Sequence, residues 1–446
     1  MAARQDRELT LSGAELPSIR TPFSGPASAA LARRLAQVES RNVTCLADPG
    51  PIFWTEANGA NIRDADDNVY IDLTAGFGVA AAGHANPRVA SAIERQAAKL
   101  PHGLGDVHPP EIKVRLLERL AAIAPADLSV TILASTGAEA VEAALKTAFL
   151  RSGRPGILAF QGSYHGLTYG ALATTWPAHF RSPFQPQLFT GVTFARFASE
   201  TNVDRDRLDE CARRLDESEK TATPIGAVLV EPIQGRGGIV LPSDGFLRGL
   251  RDLCDGSARV LVFDEVYTGF GRTGRWFACE HWDVVPDIMA VGKALSGSVP
   301  VSAAIGSRKI MDAWPSSTGE AIHTSTFLGN PIGCAAALAQ LDEIESRGLL
   351  RRATEIGERV GARTTGWTAR FACVLATRGI GALQGVVMTD GVALEVARVA
   401  MRQGVLVLAE GERLDVLAIT PPLVITDRQL DFALDAIESA LESLSS

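Results

Sequence analysis

The run Arg259-Val260-Leu261-Val262-Phe263-Asp264-Glu265 decides the fold class of this 446-residue chain. Its uninterrupted apolar stretch reads as a β-strand buried on both faces, and it ends in a carboxylate. Comparable runs lie on either side, at residues 130–134, 157–160, 227–230, 288–291 and 301–305, with helical patterns between them. Strands alternating with helices predict an α/β fold, a mostly parallel sheet sandwiched by helices. Ligands in such sheets sit beyond the carboxyl ends of the strands, so polar residues at those ends become candidates for chemistry.

Outside that block the pattern changes. Residues 61–73 read as a hairpin in which Ile62, Val69, Tyr70 and Ile71 flank a turn rich in Asp and Asn. Residues 1–26 combine turn formers with scattered charge and read as an arm. After Ile344 come a helix, short strands and a final helix, whose capping box joins Thr426 to Gln429 and whose apolar stripe runs Leu430, Leu434, Ile437, Leu441 and Leu444. The expected division is residues 1–70 as an arm and part of a small domain, 71–344 as a large domain, and 345–446 as the remainder of a smaller α+β domain built from both termini.

Hydrophobic residues make up 46% of the chain and charged residues 21%, the proportions of a globular protein with a large core. The net charge of -8 argues against a nucleic-acid or anionic-membrane surface, since neither polyanion is drawn to an acidic partner. No stretch offers the roughly 20 apolar residues of a membrane span, and residues 1–26 lack the apolar segment of a secretory signal, so a cytoplasmic protein is expected. Six cysteines, Cys45, Cys211, Cys254, Cys279, Cys334 and Cys373, form no C-x-x-C pair, which predicts buried free thiols and no metal site.

Four strand ends carry polar residues of interest. Asp264 would be costly to bury unpaired, and a bound cation such as a protonated pyridine nitrogen would compensate it. Taken alone, Leu261-Val262-Phe263-Asp264-Glu265 reads equally as a metal-binding strand end of an ATPase, but the G-x-x-x-x-G-K-[ST] loop that reading needs is absent. Lys293 follows the run 288–291 and precedes small residues; desolvation there favours a neutral amine able to condense with an aldehyde, while a lysine capping a helix C-terminus is the plainer alternative. Ser135-Thr136-Gly137-Ala138-Glu139 opens a helix after the run 130–134, where free backbone N–H groups suit a phosphate, or simply a cap. Tyr164, after the run 157–160, can stack on a flat ring or merely pack. Gly269-Phe270-Gly271-Arg272-Thr273-Gly274 matches G-x-G-x-x-G but does not pass directly from strand to helix as a dinucleotide fingerprint must. Together the four ends suggest pyridoxal 5'-phosphate held as a Schiff base on Lys293 with Asp264 at the pyridine nitrogen.

Read in order, these residues resemble the class III aminotransferases, a family of pyridoxal-phosphate enzymes of fold type I. The likeness runs from about Gly59 to the final helix. It is carried by Gly83-His84 with Pro87, Thr136-Gly137-Ala138-Glu139-Ala140, Tyr164-His165-Gly166, Glu231-Pro232-Ile233-Gln234-Gly235, Asp264-Glu265-Val266, the 269–274 glycines, Pro286-Asp287-Ile288, Gly292-Lys293, the segment 324–331 and Pro421-Pro422-Leu423. The resemblance implies that Lys293 carries the cofactor, that Asp264 pairs with the ring nitrogen, and that Thr136, Gly137 and Ala138 hold the phosphate. Tyr164 and Val266 would cover the two ring faces. Tyr267 stands where a glutamine often reaches the ring hydroxyl. Thr326 would enter the phosphate site of a partner subunit, which implies a homodimer with shared active sites.

The chain also departs from the family pattern. An arginine that many members place before the last proline motif is Ala418 here, and the glutamate that follows Gln-Gly is Arg236. Both halves of the usual carboxylate-binding pair are missing. That favours an omega-amino acid or amine as donor, an oxo acid other than 2-oxoglutarate as acceptor, and a ping-pong scheme. Trp54, Phe77 and Arg236 are the candidate substrate contacts. A racemase or epimerase of the same family is the alternative.

Overall fold

The computed structural model describes residues 10–46, 50–199 and 204–445; the rest of the expected arm, residues 1–9, lies outside them. An N-terminal hairpin comes first: β1 (Trp54–Asn58), β2 (Asn61–Asp64) and β3 (Val69–Asp72) are antiparallel neighbours. Asp64 closes the turn by accepting from the N–H groups of Asp66 and Asn68, the Asp-rich chemistry read from the sequence.

The central layer is a seven-stranded sheet of β4 (Leu128–Ala134), β5 (Gly156–Phe160), β6 (Val192–Ala195), β7 (Ile225–Val230), β8 (Val260–Asp264), β9 (Ile288–Val291) and β10 (Ser302–Ser307), in the order β4-β10-β9-β8-β7-β5-β6. The pairs β6-β5, β5-β7, β7-β8 and β8-β9 are parallel, while β10 runs antiparallel to β9 and β4. The sheet is therefore mostly parallel, as expected. The strand β6 was not anticipated: it lies at the sheet edge with only Ala195 buried, so it carries no continuous apolar run.

Strand residues alternate between two cores. Val260, Val262, Ile288, Ala290, Ala227 and Leu229 pack with Ala140, Val141, Ala144 and Ala148 of the helix Gly137–Ser152. Leu261, Phe263, Met289 and Val291 pack on the opposite side with Phe246, Leu250 and Cys254 of the helix Phe246–Ser257. The small side chains of the first helix let it lie close to the sheet, and Asp264 shares the strand face of Val262 that this helix covers. Helix N-terminus and carboxylate thus come to the same end of the same layer.

Beyond the sheet, β11 (Val374–Ile380), β12 (Leu383–Met388), β13 (Val405–Leu406), β14 (Leu408–Glu410) and β15 (Val416–Ile419) follow. Of these, β11, β12, β15 and β14 form an antiparallel sheet, whereas β13 pairs in parallel with β3 and so ties the C-terminal part to the N-terminal hairpin. The last helix, Asp427–Ser445, begins with the anticipated capping box: Gln429 N–H donates to Thr426 Oγ1, and Gln429 Oε1 accepts from Thr426 N–H. Four cysteines are buried free thiols, but Cys45 is exposed and Cys373 half-buried, which corrects the expectation of uniform burial. Among the described residues no helix is long and apolar enough to cross a membrane.

Candidate active site

A cavity of about 520 Å³ opens at the carboxyl ends of β4, β5, β7, β8 and β9. Its lining includes Thr136, Gly137, Ala138, Tyr164, Arg236, Asp264, Val266, Tyr267 and Lys293, nine of the residues singled out from the sequence. The remaining three lie elsewhere on this chain. Trp54 is exposed on β1, edge-on to His84 at 5.8 Å. Phe77 is exposed in a short irregular helical turn, Ala75–Gly78, whose Gly78 approaches the Lys293 side chain. Thr326 is exposed in the segment ahead of the helix Pro331–Ser346.

Asp264 is buried, and each of its oxygens has one partner and room to accept another. One carboxylate oxygen lies 2.7 Å from His165 Nδ1, and the other accepts from Val266 N–H at 3.0 Å. His165 Nε2 is buried without a partner. Glu265 turns away from the cavity into the core, where it accepts from the Thr268 hydroxyl and from the N–H groups of Ala278 and Cys279. That arrangement does not suit a metal-binding strand end, because the second carboxylate is consumed by structure. The 269–274 glycines likewise serve packing: the buried Arg272 guanidinium between them donates to the carbonyl oxygens of Ala382 and Pro421.

Lys293 follows β9 with φ 44°, a left-handed conformation unusual for a side-chain-bearing residue. Its Nζ lies 4.0 Å from the Tyr267 ring centroid. Burial pulls its pKa from 10.5 down to about 8, against the opposing pull of Asp264 and then Glu231 and Glu410. Tyr267, half-buried, donates to Thr420 Oγ1 at 3.3 Å, and its ring lies so close to Gly235 that a Cβ there would meet it at 2.1 Å. Its role in the apoprotein is thus a wall beneath the lysine.

Thr136 caps the helix Gly137–Ser152 by accepting from Glu139 N–H at 3.2 Å, while Glu139 accepts from Ser135 N–H at 2.8 Å. Gly137 and Ala138 line the cavity at the positive end of the helix dipole, and as the first residues of the helix their N–H groups have no partner within it. Two residues that sequence reasoning left without a role also matter. His165 sits beside Tyr164 in the quoted motif and holds Asp264. Glu231, the residue after β7, accepts from Tyr164 N–H at 3.0 Å and Gly235 N–H at 3.2 Å, fixing two cavity loops; burial raises its pKa to about 7, with Asp264 adding to the rise. The strand-end rule that found Asp264 would have found Glu231.

These residues fit pyridoxal phosphate. An amine of lowered pKa, a buried carboxylate with its own donors, an aromatic wall and N–H groups without intrahelical partners at a helix N-terminus converge on one cavity of ligand size. Two expectations follow for the cofactor-free protein. Only the neutral amine condenses with an aldehyde, so the rate of cofactor uptake should rise with pH and level off above about 8, followed by stopped-flow absorbance. The lowered pKa also means that the unfolded chain binds the extra proton between about 8 and 10.5, so stability of the apoprotein should increase with pH across that window. Separately, a Cβ on Gly137 would meet Val266 Cγ1 at 2.7 Å. Overpacking of this kind costs roughly 1–3 kcal/mol, so Gly137→Ala should weaken cofactor binding by about ten- to a hundredfold in a spectroscopic titration.

Comparison with known proteins agrees with this geometry. The family model "Aminotransferase class-III" matches residues 45–441. The acetylornithine aminotransferase of Methanosarcina mazei is 38% identical over 392 residues, covering 87% of this chain and 92% of that protein. Among solved structures, the ornithine aminotransferase of Toxoplasma gondii superposes with a TM-score of 0.83 at 28% identity, covering 93% of this chain and 95% of that one. An amine transaminase from an uncultivated Pseudomonas species, in its pyridoxal-phosphate-bound form, does so with a TM-score of 0.83 at 27% identity, covering 91% and 98%. Sequence, fold and cavity therefore agree that the chain belongs to the class III aminotransferases, enzymes of fold type I that depend on pyridoxal phosphate.

Proposed function

We propose that the chain moves an amino group from an amine or amino acid of the omega type to an oxo acid in two half-reactions, a ping-pong scheme. The observation that supports this best is the convergence of Lys293, Asp264 and the first turn of the helix Gly137–Ser152 on one cavity. Bound pyridoxal phosphate supplies an aldehyde for the amine and a protonated ring that draws electron density from the substrate carbon. Lys293 Nζ removes the proton from that carbon and returns it, a role suited to an amine that is partly neutral near pH 7.5. Asp264, oriented by His165 and Val266 N–H, keeps a proton at the ring nitrogen. Thr136 and the N–H groups of Gly137 and Ala138 hold the phosphate, with Tyr164 and Val266 against the two faces of the ring.

The omega preference rests on position 418. Ala418 is buried with Ile233, Ile239 and Leu383, so no cation occupies the place where many relatives bind an alpha-carboxylate. Acetylornithine and ornithine, named for two of the similar proteins, both carry a primary amine remote from a carboxylate, the same chemical class. We further propose a homodimer in which Thr326 completes the partner's phosphate site, with residues 71–344 as the cofactor domain and the two flanking segments as the smaller one. β13 pairs with Ile71 and Asp72 of β3, beside the proposed boundary, and so joins the C-terminal segment to the N-terminal hairpin.

The test is a panel of donors added without acceptor, scored by bleaching of the bound cofactor. Omega-amino acids and diamines should bleach faster than alpha-amino acids. A preference for alpha-amino acids with 2-oxoglutarate as acceptor would reject the omega assignment, and a band that survives every donor while the alpha proton exchanges with solvent would reject transfer itself.

A further inference from the structure

Among the described residues Arg236 is the one guanidinium lining the active-site cavity. It is 40% exposed, and its Cζ lies 4.6 Å from the centroid of the Tyr164 ring and 5.6 Å from that of Phe180. The two rings orient the planar cation through its faces, an arrangement that leaves its N–H edge available. The carboxylate paired with it, Glu410 on β14, stands 3.6 Å from Nε, beyond direct hydrogen-bond distance. Glu410 is itself buried, and burial raises its pKa against the pull of Arg236 and Lys293. The two loops are locked together, since Gly411 N–H donates to the Arg236 carbonyl oxygen at 3.0 Å. A held guanidinium with an incompletely engaged edge, at the rim of a cavity, matches the bidentate geometry of a carboxylate.

We propose that Arg236 recognises the carboxylate of the substrate, and that Glu410 is the internal counter-charge that holds the guanidinium while no carboxylate is present. This rests on the aminotransferase reading of the same cavity and adds the substrate class: amino acids and oxo acids whose carboxylate reaches the rim, bound in preference to plain amines of equal length. The pair is not the one missing at positions 236 and 418: here the arginine stands at 236, where that pair has its glutamate, and the carboxylate is Glu410 of β14.

The test compares 4-aminobutyrate with n-butylamine as donors to the holoenzyme, taking KM and kcat of each half-reaction separately. Charge-assisted hydrogen bonds of this kind correspond to roughly 10- to 100-fold in affinity. Arg236→Met should therefore raise the ratio of the two KM values by about that factor through the amino acid alone, and Arg236→Lys should recover part of it. Glu410→Gln should move the ratio in the opposite direction by removing the competing carboxylate. Retention of the cofactor band in each variant shows that the site is still assembled. A ratio indifferent to Arg236→Met, or displaced in the same direction by Glu410→Gln, overturns the inference while leaving aminotransfer intact. A parent enzyme that binds pyridoxal phosphate yet transfers from neither donor overturns the aminotransferase reading, and this inference with it.

Discussion

Lys293→Ala should leave a folded protein that still takes up pyridoxal phosphate but transfers amino groups at least roughly 10⁴-fold more slowly, the scale on which enzymes lose turnover when the group that both bonds and shuttles the proton is removed. Folding should survive because the substitution deletes a desolvated amine whose pKa burial already depresses. No other lysine lines the cavity among the described residues, so nothing stands ready to replace it. Borohydride reduction followed by mass spectrometry checks this directly. The parent should gain the mass of the reduced cofactor at residue 293 and the variant should not; an adduct persisting in the variant would place the reactive amine elsewhere.

The second large effect is expected at Asp264. Asp264→Asn preserves shape and the capacity to accept from Val266 N–H but removes the charge that keeps a proton on the ring nitrogen. Losing one preorganised electrostatic partner in a water-poor site typically slows turnover by about 10²–10³-fold. The loss should fall on kcat more than on KM, because the charge acts on the reacting state rather than on the bound substrate. His165, 2.7 Å away, loses its anionic partner in the same change, so the cofactor's absorption maximum should shift as well. An Asp264→Asn enzyme within tenfold of the parent would remove this residue from the chemistry.

Both residues were visible in the sequence for one reason. Strands buried on both faces are continuous apolar runs, so their carboxyl ends are sharply marked, and β4, β5, β8 and β9 deliver Thr136 to Ala138, Tyr164, Asp264 and Lys293 just past those marks. The direction of β10 was less plain, since its composition is that of its parallel neighbours. The clue lay in residues 292–301, a connection shorter than the dozen or so residues that a parallel crossover requires. Glu410 was out of reach: it belongs to a three-residue strand beside a charged turn, and its approach to Arg236 joins positions far apart in the chain. Trp54 and Phe77 illustrate the opposite limit. Their aromatic character is evident, but whether they face a cavity depends on loop paths that periodicity does not encode; on this chain both are exposed and neither lines the cavity.

The cavity walls come from segments that follow β4, β5, β7, β8 and β9, with intervening stretches of chain that must all be in place before those strand ends align. No subset of neighbouring residues can recreate the site in a partly ordered chain. A molecule that binds only the finished arrangement lowers the free energy of that state alone. Saturation with the cofactor should consequently slow the opening of the central strands to amide exchange and protease attack, and cells short of vitamin B6 should turn this polypeptide over faster.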